Sequence, residues 1–479
     1  MDKEILINVE SGEKRAAILK QGRLEEFYLE RPQDKTIVGN IYKGKIEAIL
    51  PSIGGAFVDI GLLKKGFLYI SDIEDLYESD QAAQAPLEIK KGQEILVQVV
   101  KESFGTKGPR ISCHIGIAGR YLVLMPQDKQ IGISRRIEDD TERKRLRQIF
   151  KELRLPSNVG FIVRTAACGK TKQELARDAI FLIKLWTRAE KISKRQKAPS
   201  LVYEEYDLVL RTVRDSFTDD VSKLIIDSKP EYYRIQRFVS TFLRYLSGRV
   251  EFYRGEDLFM EKAVEKQINQ IFETKIYLKS KAYLVIEPTE GLVVIDVNSG
   301  GYKRNIDQEE AAFKVNCEAA VEAAHQLKLR DLGGIIVIDF IDMAREGHRR
   351  EVLNVLKKAL NTDKAKFDIV GISKFGVVEM TRERVHNTVQ TLSYQLCPYC
   401  QGKGKVKSPL TTSIQAMKEL KKYLKLNRVR ELKLTLNPQV ANEITKNRQG
   451  LRDIERQYRV RINLIPDSNL HLEIVSISS

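Results

Sequence analysis

Two runs of β-branched residues, each leading to an aspartate, constrain this chain more than any other feature. VVIDVNSGG begins at Val293 and IIVIDFIDM begins at Ile335, with a long amphipathic helical pattern between them. Such runs are typical of buried strands, so the order strand–helix–strand predicts an α/β sandwich whose sheet is covered on both faces. Because functional groups collect at the carboxyl ends of such strands, we expect Asp296 and Asp339 to lie close together.

Two carboxylates placed together predict a divalent cation. They repel each other unless positive charge lies between them, and Mg²⁺ suits one or two protein carboxylates while it keeps waters. Asn298 is an uncharged neighbour that could orient Asp296 or a metal-bound water. Downstream, Lys303 and Arg304 could hold a phosphate, and Asp342 is a candidate third ligand. The alternative interpretation is that the aspartates cap helices or turns.

The charge of the chain indicates a polyanionic partner. Its 479 residues, too many for one hydrophobic core, include 81 Lys and Arg against 65 Asp and Glu, which gives a net charge of +16. Counterion release favours nucleic acid, without choosing DNA or RNA, although a basic surface with no such role is the alternative. No stretch approaches the ~20 apolar residues of a membrane span, and the N-terminus lacks a signal-peptide core. We therefore expect a cytoplasmic protein without a membrane span.

Strand patterns fill the first hundred residues. Residues 4–31 predict three strands of an antiparallel meander, and residues 38–101 predict about five more, separated by turn glycines. Five short strands in a basic chain favour an OB-type barrel that binds single-stranded nucleic acid. Phe57 and Phe67 would stack bases there, with Lys107 among the nearby lysines that hold the backbone. The alternative places both phenylalanines in the core.

One close cysteine pair predicts a zinc knuckle. Of the five cysteines, only Cys397 and Cys400 are adjacent in a CxxC, within CPYCQGKG, which fits a metal site better than a disulfide framework. Zinc takes four ligands, so either His386 or Cys317 completes the site or a second copy of the chain does. We favour zinc shared between two subunits over a thioredoxin-like redox pair.

Arginines in the middle of the chain indicate a site for a terminal phosphate. Arg164 and Thr165 end the strand pattern of GFIVRTAA, and Arg136 lies in SRRIE. Arginine forks and a hydroxyl suit a phosphate group. A long helix with a capping box is predicted to begin at Thr171, and the residues after the cysteine pair predict a small, basic α/β module.

Taken in order, these motifs resemble the ribonuclease E/G family along nearly the whole chain. The matching segments are VGNIYKGKI, AFVDIG, YLVLMP, ISRRIE, VRTAA, VVIDVNSG, LRDLGGIIVIDFIDM and CPYCQGKG. The resemblance implies an endoribonuclease that hydrolyses single-stranded RNA to 5′-phosphate and 3′-hydroxyl ends, prefers 5′-monophosphorylated RNA, and acts in rRNA and tRNA processing and mRNA decay. Because no acidic or proline-rich scaffold follows residue 479, we expect a short, ribonuclease G-like member.

The resemblance also implies a multidomain α/β architecture with an inserted barrel. The parts that it implies are a structural RNase H-like domain (1–35 plus 210–273), an OB-fold RNA-binding domain (36–118), a 5′-sensor domain (119–209), a deoxyribonuclease I-like catalytic domain (274–392), a zinc link (393–406) and a small C-terminal α/β domain (407–479).

Functional residues of the family carry over onto positions of this sequence. The resemblance implies Mg²⁺ on Asp296 and Asp339 with support from Asn298, and structural Zn²⁺ shared by Cys397 and Cys400 of two subunits. The residues that it implies for RNA are Phe57, Phe67 and Lys107, and those for the 5′-phosphate sensor are Gly119, Val123, Arg136, Arg164, Thr165 and Lys366. Lys366 stands where the family has an arginine, so without the bidentate fork we expect a softer 5′-end preference. A homodimer through the zinc link, or a tetramer, would act on rRNA precursors and mRNA.

Overall fold

The computed structural model describes most of the chain. The described ranges are 3–73, 90–103, 107–153, 155–156, 158–289, 291–300, 307–373, 375–383, 389 and 393–478. The chain divides into two compact units, Met1–Ser393 and Tyr394–Ser479. Lys303, Arg304 and His386, which the sequence nominated for sites, lie outside the described residues.

Strands and helices alternate along the chain in groups. The strands are β1 Lys3–Glu10, β2 Glu13–Lys20, β3 Arg23–Glu30, β4 Ile41–Leu50, β5 Gly55–Asp59, β6 Gly66–Tyr69, β7 Glu94–Lys101, β8 Arg110–Ser112, β9 Ile117–Ala118, β10 Leu122–Met125, β11 Ile131–Ile133, β12 Gly160–Val163, β13 Ser200–Tyr203, β14 Val221–Ile226, β15 Val250–Phe252, β16 Lys275–Tyr277, β17 Tyr283–Pro288, β18 Leu292–Asn298, β19 Gly334–Asp339, β20 Phe367–Ile372, β21 Val377–Arg382, β22 Glu431–Leu436, β23 Arg461–Pro466 and β24 Val475–Ser478. The α-helices are α1 Asp140–Glu152, α2 Lys172–Arg195, α3 Leu208–Ser216, α4 Lys229–Phe242, α5 Leu258–Glu261, α6 Val264–Gln270, α7 Gln308–Leu329, α8 Glu346–Leu360, α9 Pro409–Leu426, α10 Pro438–Lys446 and α11 Arg448–Tyr458.

The N-terminal strands share a sheet with strands from the middle of the chain. β1, β2 and β3 form an antiparallel meander, which confirms the prediction from the sequence. β1 also pairs in parallel with β14, so the strand order is β15-β14-β1-β2-β3. Ile5 and Ile7 enter one hydrophobic core, while Leu6 enters another on the opposite face. β1 is therefore buried on both faces, and the later strands β14 and β15 complete the sheet that the meander begins.

The second sheet closes into a small barrel. β4 pairs with β5 and β7, and β6 and β8 complete the ring. Ile46, Val58 and Leu68 fill the interior. This five-strand closure matches the barrel that the sequence predicted. β13, which comes much later in the chain, pairs antiparallel with β4.

The third sheet, in the order β11-β12-β10-β9, packs beside the long helix α2. The side chain of Thr171 caps this helix through the predicted capping box with Glu174. Leu122 and Val163 of the sheet meet Leu175 of the helix in the same core. This core also receives residues of β1 and β14, so the third sheet and the N-terminal sheet are packed together.

The fourth sheet, in the order β16-β17-β18-β19-β21-β20, contains both aspartate motifs. α7 and α8 pack against each other and on Ile295 and Ile338 of the sheet. Ile335 points the other way and is 54% exposed. The expected cover on both faces is therefore wrong for the described residues. Only β18 and β19 run parallel, and the other neighbours are antiparallel. The two helices that connect strands of this sheet, α7 and α8, pack in the same core and cover the same face, which leaves the second face without a helix among the described residues.

The C-terminal unit is a small α/β module, as the sequence predicted. Its three strands have the order β23-β22-β24, and the first pair is parallel. Leu432 and Leu434 of the sheet pack against the apolar faces of α9, α10 and α11. Among the helices that the structure describes in either unit, none is long and apolar enough to cross a membrane.

Candidate functional site

Asp296 and Asp339 lie side by side on the fourth sheet. They are direct register partners on parallel strands, as are Ile295 and Ile338 one residue earlier. Adjacent strands are about 4.8 Å apart and partners point to the same face, so the carboxylates share one small area. Both are exposed, on the face opposite α7 and α8. Asp339 ends its strand, whereas Asp296 precedes the end of β18 at Asn298.

The electrostatics of this pair favour a cation. Partial burial raises the pKa of Asp339, and the negative charges of Asp296 and Asp342 raise this pKa further. Asn298 donates Nδ2 to Oδ2 of Asp296 at 2.7 Å, which fixes one carboxylate oxygen. Within the described residues, no three or more His, Cys, Asp or Glu side chains are arranged to enclose a metal ion. Mg²⁺ binds through one or two carboxylates and keeps several waters, and this exposed pair of carboxylates fits that preference.

Two side chains of α7 hold the loop that follows Asp339. Asn316 is fully buried; its Nδ2 donates to the carbonyl oxygen of Ile341 at 2.7 Å, and its Oδ1 accepts the Ile341 N–H at 3.0 Å. Glu309 accepts the N–H groups of residues 344 and 345 at 2.7 and 3.0 Å. The sequence analysis missed both residues. The signal for Asn316 in the sequence was a polar amide among the apolar positions of a helix, since a buried amide needs hydrogen-bond partners.

Aromatic rings line one face of the barrel. Phe57 and Phe67 are register partners with ring centroids 5.8 Å apart, and neither is buried in the core. Tyr69 extends the row at 5.1 Å from Phe67, and the Arg110 guanidinium lies 4.8 Å from the Tyr69 ring centroid. Lys107 is exposed just before β8, the strand that pairs with β6. The sequence analysis missed Tyr69 and Arg110, although alternation along β6 placed Tyr69 on the face of Phe67.

The third sheet brings together most of the residues assigned to the 5′ sensor. Arg164 donates Nη1 to the carbonyl oxygen of Gly119 at 2.6 Å and Nη2 to Oδ1 of Asp215 at 2.8 Å. Thr165 is exposed at the start of a 3₁₀ turn that follows β12. Val123 lies half-buried on the neighbouring strand β10. The sequence did not predict a role for Asp215, whose carboxylate forms an ion pair with Arg164.

A buried carboxylate shapes the turn at Gly119. Asp178 of α2 accepts the N–H groups of residues 120–122 at 2.8 to 3.2 Å. A Cβ at Gly119 would lie 2.7 Å from a carboxylate oxygen of Asp178, so the turn requires glycine. Arg136 donates Nη2 to the carbonyl oxygen of Lys364 at 3.0 Å, two residues before the exposed Lys366.

Cys397 and Cys400 lie in the C-terminal unit as free thiols, the first exposed and the second half-buried. Hydrogen bonds from the backbone of Cys400 and Tyr399 lower the pKa of the Cys397 thiol. The thiolate is the form that binds zinc. Cys317 lies on α7 and packs against the hydrophobic core of the first unit, where burial raises the pKa of its thiol.

Family models match the chain in three consecutive segments. The S1 RNA binding domain matches residues 35–114, which contain the barrel strands β4 to β8. The Ribonuclease E/G family matches residues 116–385, with both aspartates. The model of the RNase E/G, Thioredoxin-like domain matches residues 396–479.

Curated relatives match over most of the chain. Ribonuclease G of Salmonella typhimurium is 39% identical over 429 residues, and that of Escherichia coli is 38% identical over 429 residues; each match covers 88% of both proteins. Ribonuclease E of Haemophilus influenzae is 36% identical over 484 residues, covering 99% of this chain and 52% of that protein. The chain therefore belongs to the ribonuclease E/G family.

Proposed function

We propose that this chain hydrolyses single-stranded RNA with Mg²⁺ held by Asp296 and Asp339, leaving 5′-phosphate and 3′-hydroxyl ends. The direct register of the two aspartates on adjacent parallel strands carries the proposal. Membership of the ribonuclease E/G family makes the chain an endoribonuclease, and the S1 match supports RNA binding by the barrel. We extend this role to rRNA and tRNA processing and mRNA decay in the cytoplasm.

Some residues of this chain would bind the metal ion, and others would bind the RNA strand. Asp296 and Asp339 would bind Mg²⁺, which supplies positive charge to the phosphate oxygens and polarises the attacking water. Asn298 keeps one oxygen of Asp296 in place. The open face of the sheet leaves the phosphodiester access to both carboxylates. Phe57 and Phe67 on the barrel offer π faces on which bases stack.

The test is cleavage of a labelled single-stranded oligonucleotide with and without Mg²⁺. Asp296→Asn and Asp339→Asn should each abolish cleavage, because each removes one of the two anionic ligands that hold and orient the ion, while RNA binding in a gel shift stays close to normal. Asp368→Asn, an exposed aspartate on β20 of the same sheet, is the matched control and should cleave normally. Full activity of both site variants would refute the proposal.

Two alternatives give different outcomes in the same assay. A non-catalytic RNA-binding scaffold, using the barrel and the basic surface alone, would shift the oligonucleotide without cutting it at any Mg²⁺ concentration. A DNA nuclease would cut the matched deoxyoligonucleotide at least as fast as the RNA.

For the 5′ end, we propose that Arg164 and Thr165, with Gly119, Val123, Arg136 and Lys366 around them, bind a terminal monophosphate. Arg164 is held between Gly119 and Asp215, so its guanidinium is oriented before RNA arrives. Arg164→Ala should reduce the ratio of cleavage rates for 5′-monophosphate over 5′-hydroxyl RNA. Arg177→Ala, an exposed arginine of α2, is the control. Equal rates on both RNAs with the unchanged protein would remove this role.

The proposal also assigns a fold to each part of the chain. We assign an RNase H-like fold to residues 1–35 with 210–273, a 5′-sensor domain to 119–209 and a deoxyribonuclease I-like fold to 274–392. The inclusion of β14 and β15 in the sheet of β1 supports the first assignment. We further propose a zinc link at 393–406, with Zn²⁺ shared by Cys397 and Cys400 of two subunits, so that the active form is a homodimer or a tetramer.

A further inference from the structure

We propose that Lys275, Tyr277 and Tyr283 form a binding site for the nucleotide next to the cut. The site lies on the open face of the fourth sheet. Its three residues are on β16 and β17, the strands that flank the carboxylates on the side of β18. It rests on the proposed function, because it assigns a base of the same RNA strand whose phosphodiester reaches Asp296 and Asp339.

Strand register places the two tyrosines beside the carboxylates. Tyr277 on β16 is the partner of Tyr283 on β17, and Tyr283 is the partner of Asn298 on β18. Partners in adjacent strands point to the same face, so both rings share the face of Asn298 and Asp296. The side chains that alternate with them point into the core beneath α7 and α8; they are Ile276, Leu284 and Val297.

The geometry of the three side chains suits a nucleotide. The ring centroids of Tyr277 and Tyr283 are 6.0 Å apart, with an angle of 57° between the planes. The Lys275 ammonium lies 3.6 Å from the Tyr283 centroid and 5.0 Å from that of Tyr277. Tyr277 is 69% exposed. An exposed ring offers a stacking face to a base, and an adjacent ammonium offers a charge to its phosphate.

The distance from the carboxylates identifies the occupant. Tyr283 is one strand away from Asn298 and Tyr277 is two strands away, which corresponds to about 5 and 10 Å across the sheet. An RNA strand whose phosphate reaches Asp296 and continues across β17 and β16 therefore places its next base over these rings. A single-stranded nucleic acid supplies that unpaired base, whereas a duplex keeps its bases stacked inside.

The experiment compares enzyme variants on substrates that lack one base. The substrates are a single-site oligonucleotide and a series in which one abasic residue replaces each nucleotide near the cut. For the unchanged protein, we expect kcat/KM to fall about tenfold when one particular flanking base is missing, since stacking on an aromatic ring stabilises a bound base. Tyr277→Ala should show this loss on the intact substrate and no further loss on that abasic one, while Tyr277→Phe should behave like the unchanged protein.

A matched control is Tyr233→Ala. Tyr233 is exposed and pairs with a second tyrosine on α4, far along the chain from the aspartates, and its removal should change none of these rates. Three outcomes overturn the inference: Tyr277→Ala is as fast as the unchanged protein, it slows every substrate equally, or it alters the oligomeric state in sedimentation. Normal cleavage by Tyr277→Ala, with no cleavage by Asp296→Asn, refutes the base site alone. No Mg²⁺-dependent cleavage by the unchanged protein refutes both proposals.

Discussion

The amide of Asn298 occupies one carboxylate oxygen of Asp296, which leaves the other oxygen of that group to meet a ligand. A side chain that hydrogen-bonds a metal-binding carboxylate in this way is worth about 10- to 100-fold in metal affinity or activity. We expect Asn298→Ala to lower the single-turnover cleavage rate within that range, with most of the loss recovered at high Mg²⁺. Asn354→Ala on the exposed face of α8 is the control. An unchanged Mg²⁺ dependence in Asn298→Ala would contradict the role.

Residues of the site differ in how far the sequence reveals them. Asp296 and Asp339 were predictable because each stands in a strand motif whose carboxyl end is a common functional position. Asp215 and Asp178 were not, since the parts of the site that they contact, Arg164 and the N–H groups of residues 120–122, lie 51 or more residues away from them along the chain. Nothing local in the sequence indicates such a contact. The sequence alone does not place Tyr277 and Tyr283 on one surface, because that conclusion requires the register of β16, β17 and β18.

At the scale of elements, helix α7 controls the position of the loop that leaves Asp339. Asn316→Ala would remove both hydrogen bonds to the backbone of the half-buried Ile341, at a cost of about 0.5–1.5 kcal/mol for each. We expect the loop to shift, so that the cleavage rate falls at least about tenfold while RNA affinity in a gel shift is retained. Asn316→Asp keeps the acceptor but turns a carboxylate oxygen toward the carbonyl oxygen of Ile341 in a fully buried position, so it should not restore cleavage. Normal cleavage by Asn316→Ala would show that the loop does not position the site.

Element types were easier to predict than their arrangement. The meander, the barrel strands and the capped helix α2 follow from alternation, turn glycines and a capping box, which are local signals. The uncovered face of the fourth sheet did not follow. Val and Ile runs fit a strand buried on both faces, but both connecting helices, α7 and α8, pack on the same face of this sheet and leave the second face without a helix among the described residues.

For the whole molecule, the proposed zinc link predicts a stoichiometry. Two thiols from each of two chains complete the four ligands of a structural zinc, so we expect about half a zinc ion per chain. Cys397→Ser or Cys400→Ser should lose both the zinc and the association of subunits, measured by metal analysis and sedimentation. Cys168→Ser, which removes another exposed thiol, should keep both. One zinc in each monomeric chain would refute sharing.

The parallel pairing of β1 with β14 has a consequence during synthesis of the chain. β1 begins at Lys3, while its partner begins at Val221. Ribosomes add about 5–20 residues per second, so the first strand waits on the order of 10–40 s for its neighbour. Throughout that interval one edge of the nascent meander has unsatisfied backbone groups. When several ribosomes translate one message close together, the meanders of neighbouring nascent chains can therefore pair with each other. Slower initiation spaces the ribosomes further apart, so it should raise the yield of correctly folded protein.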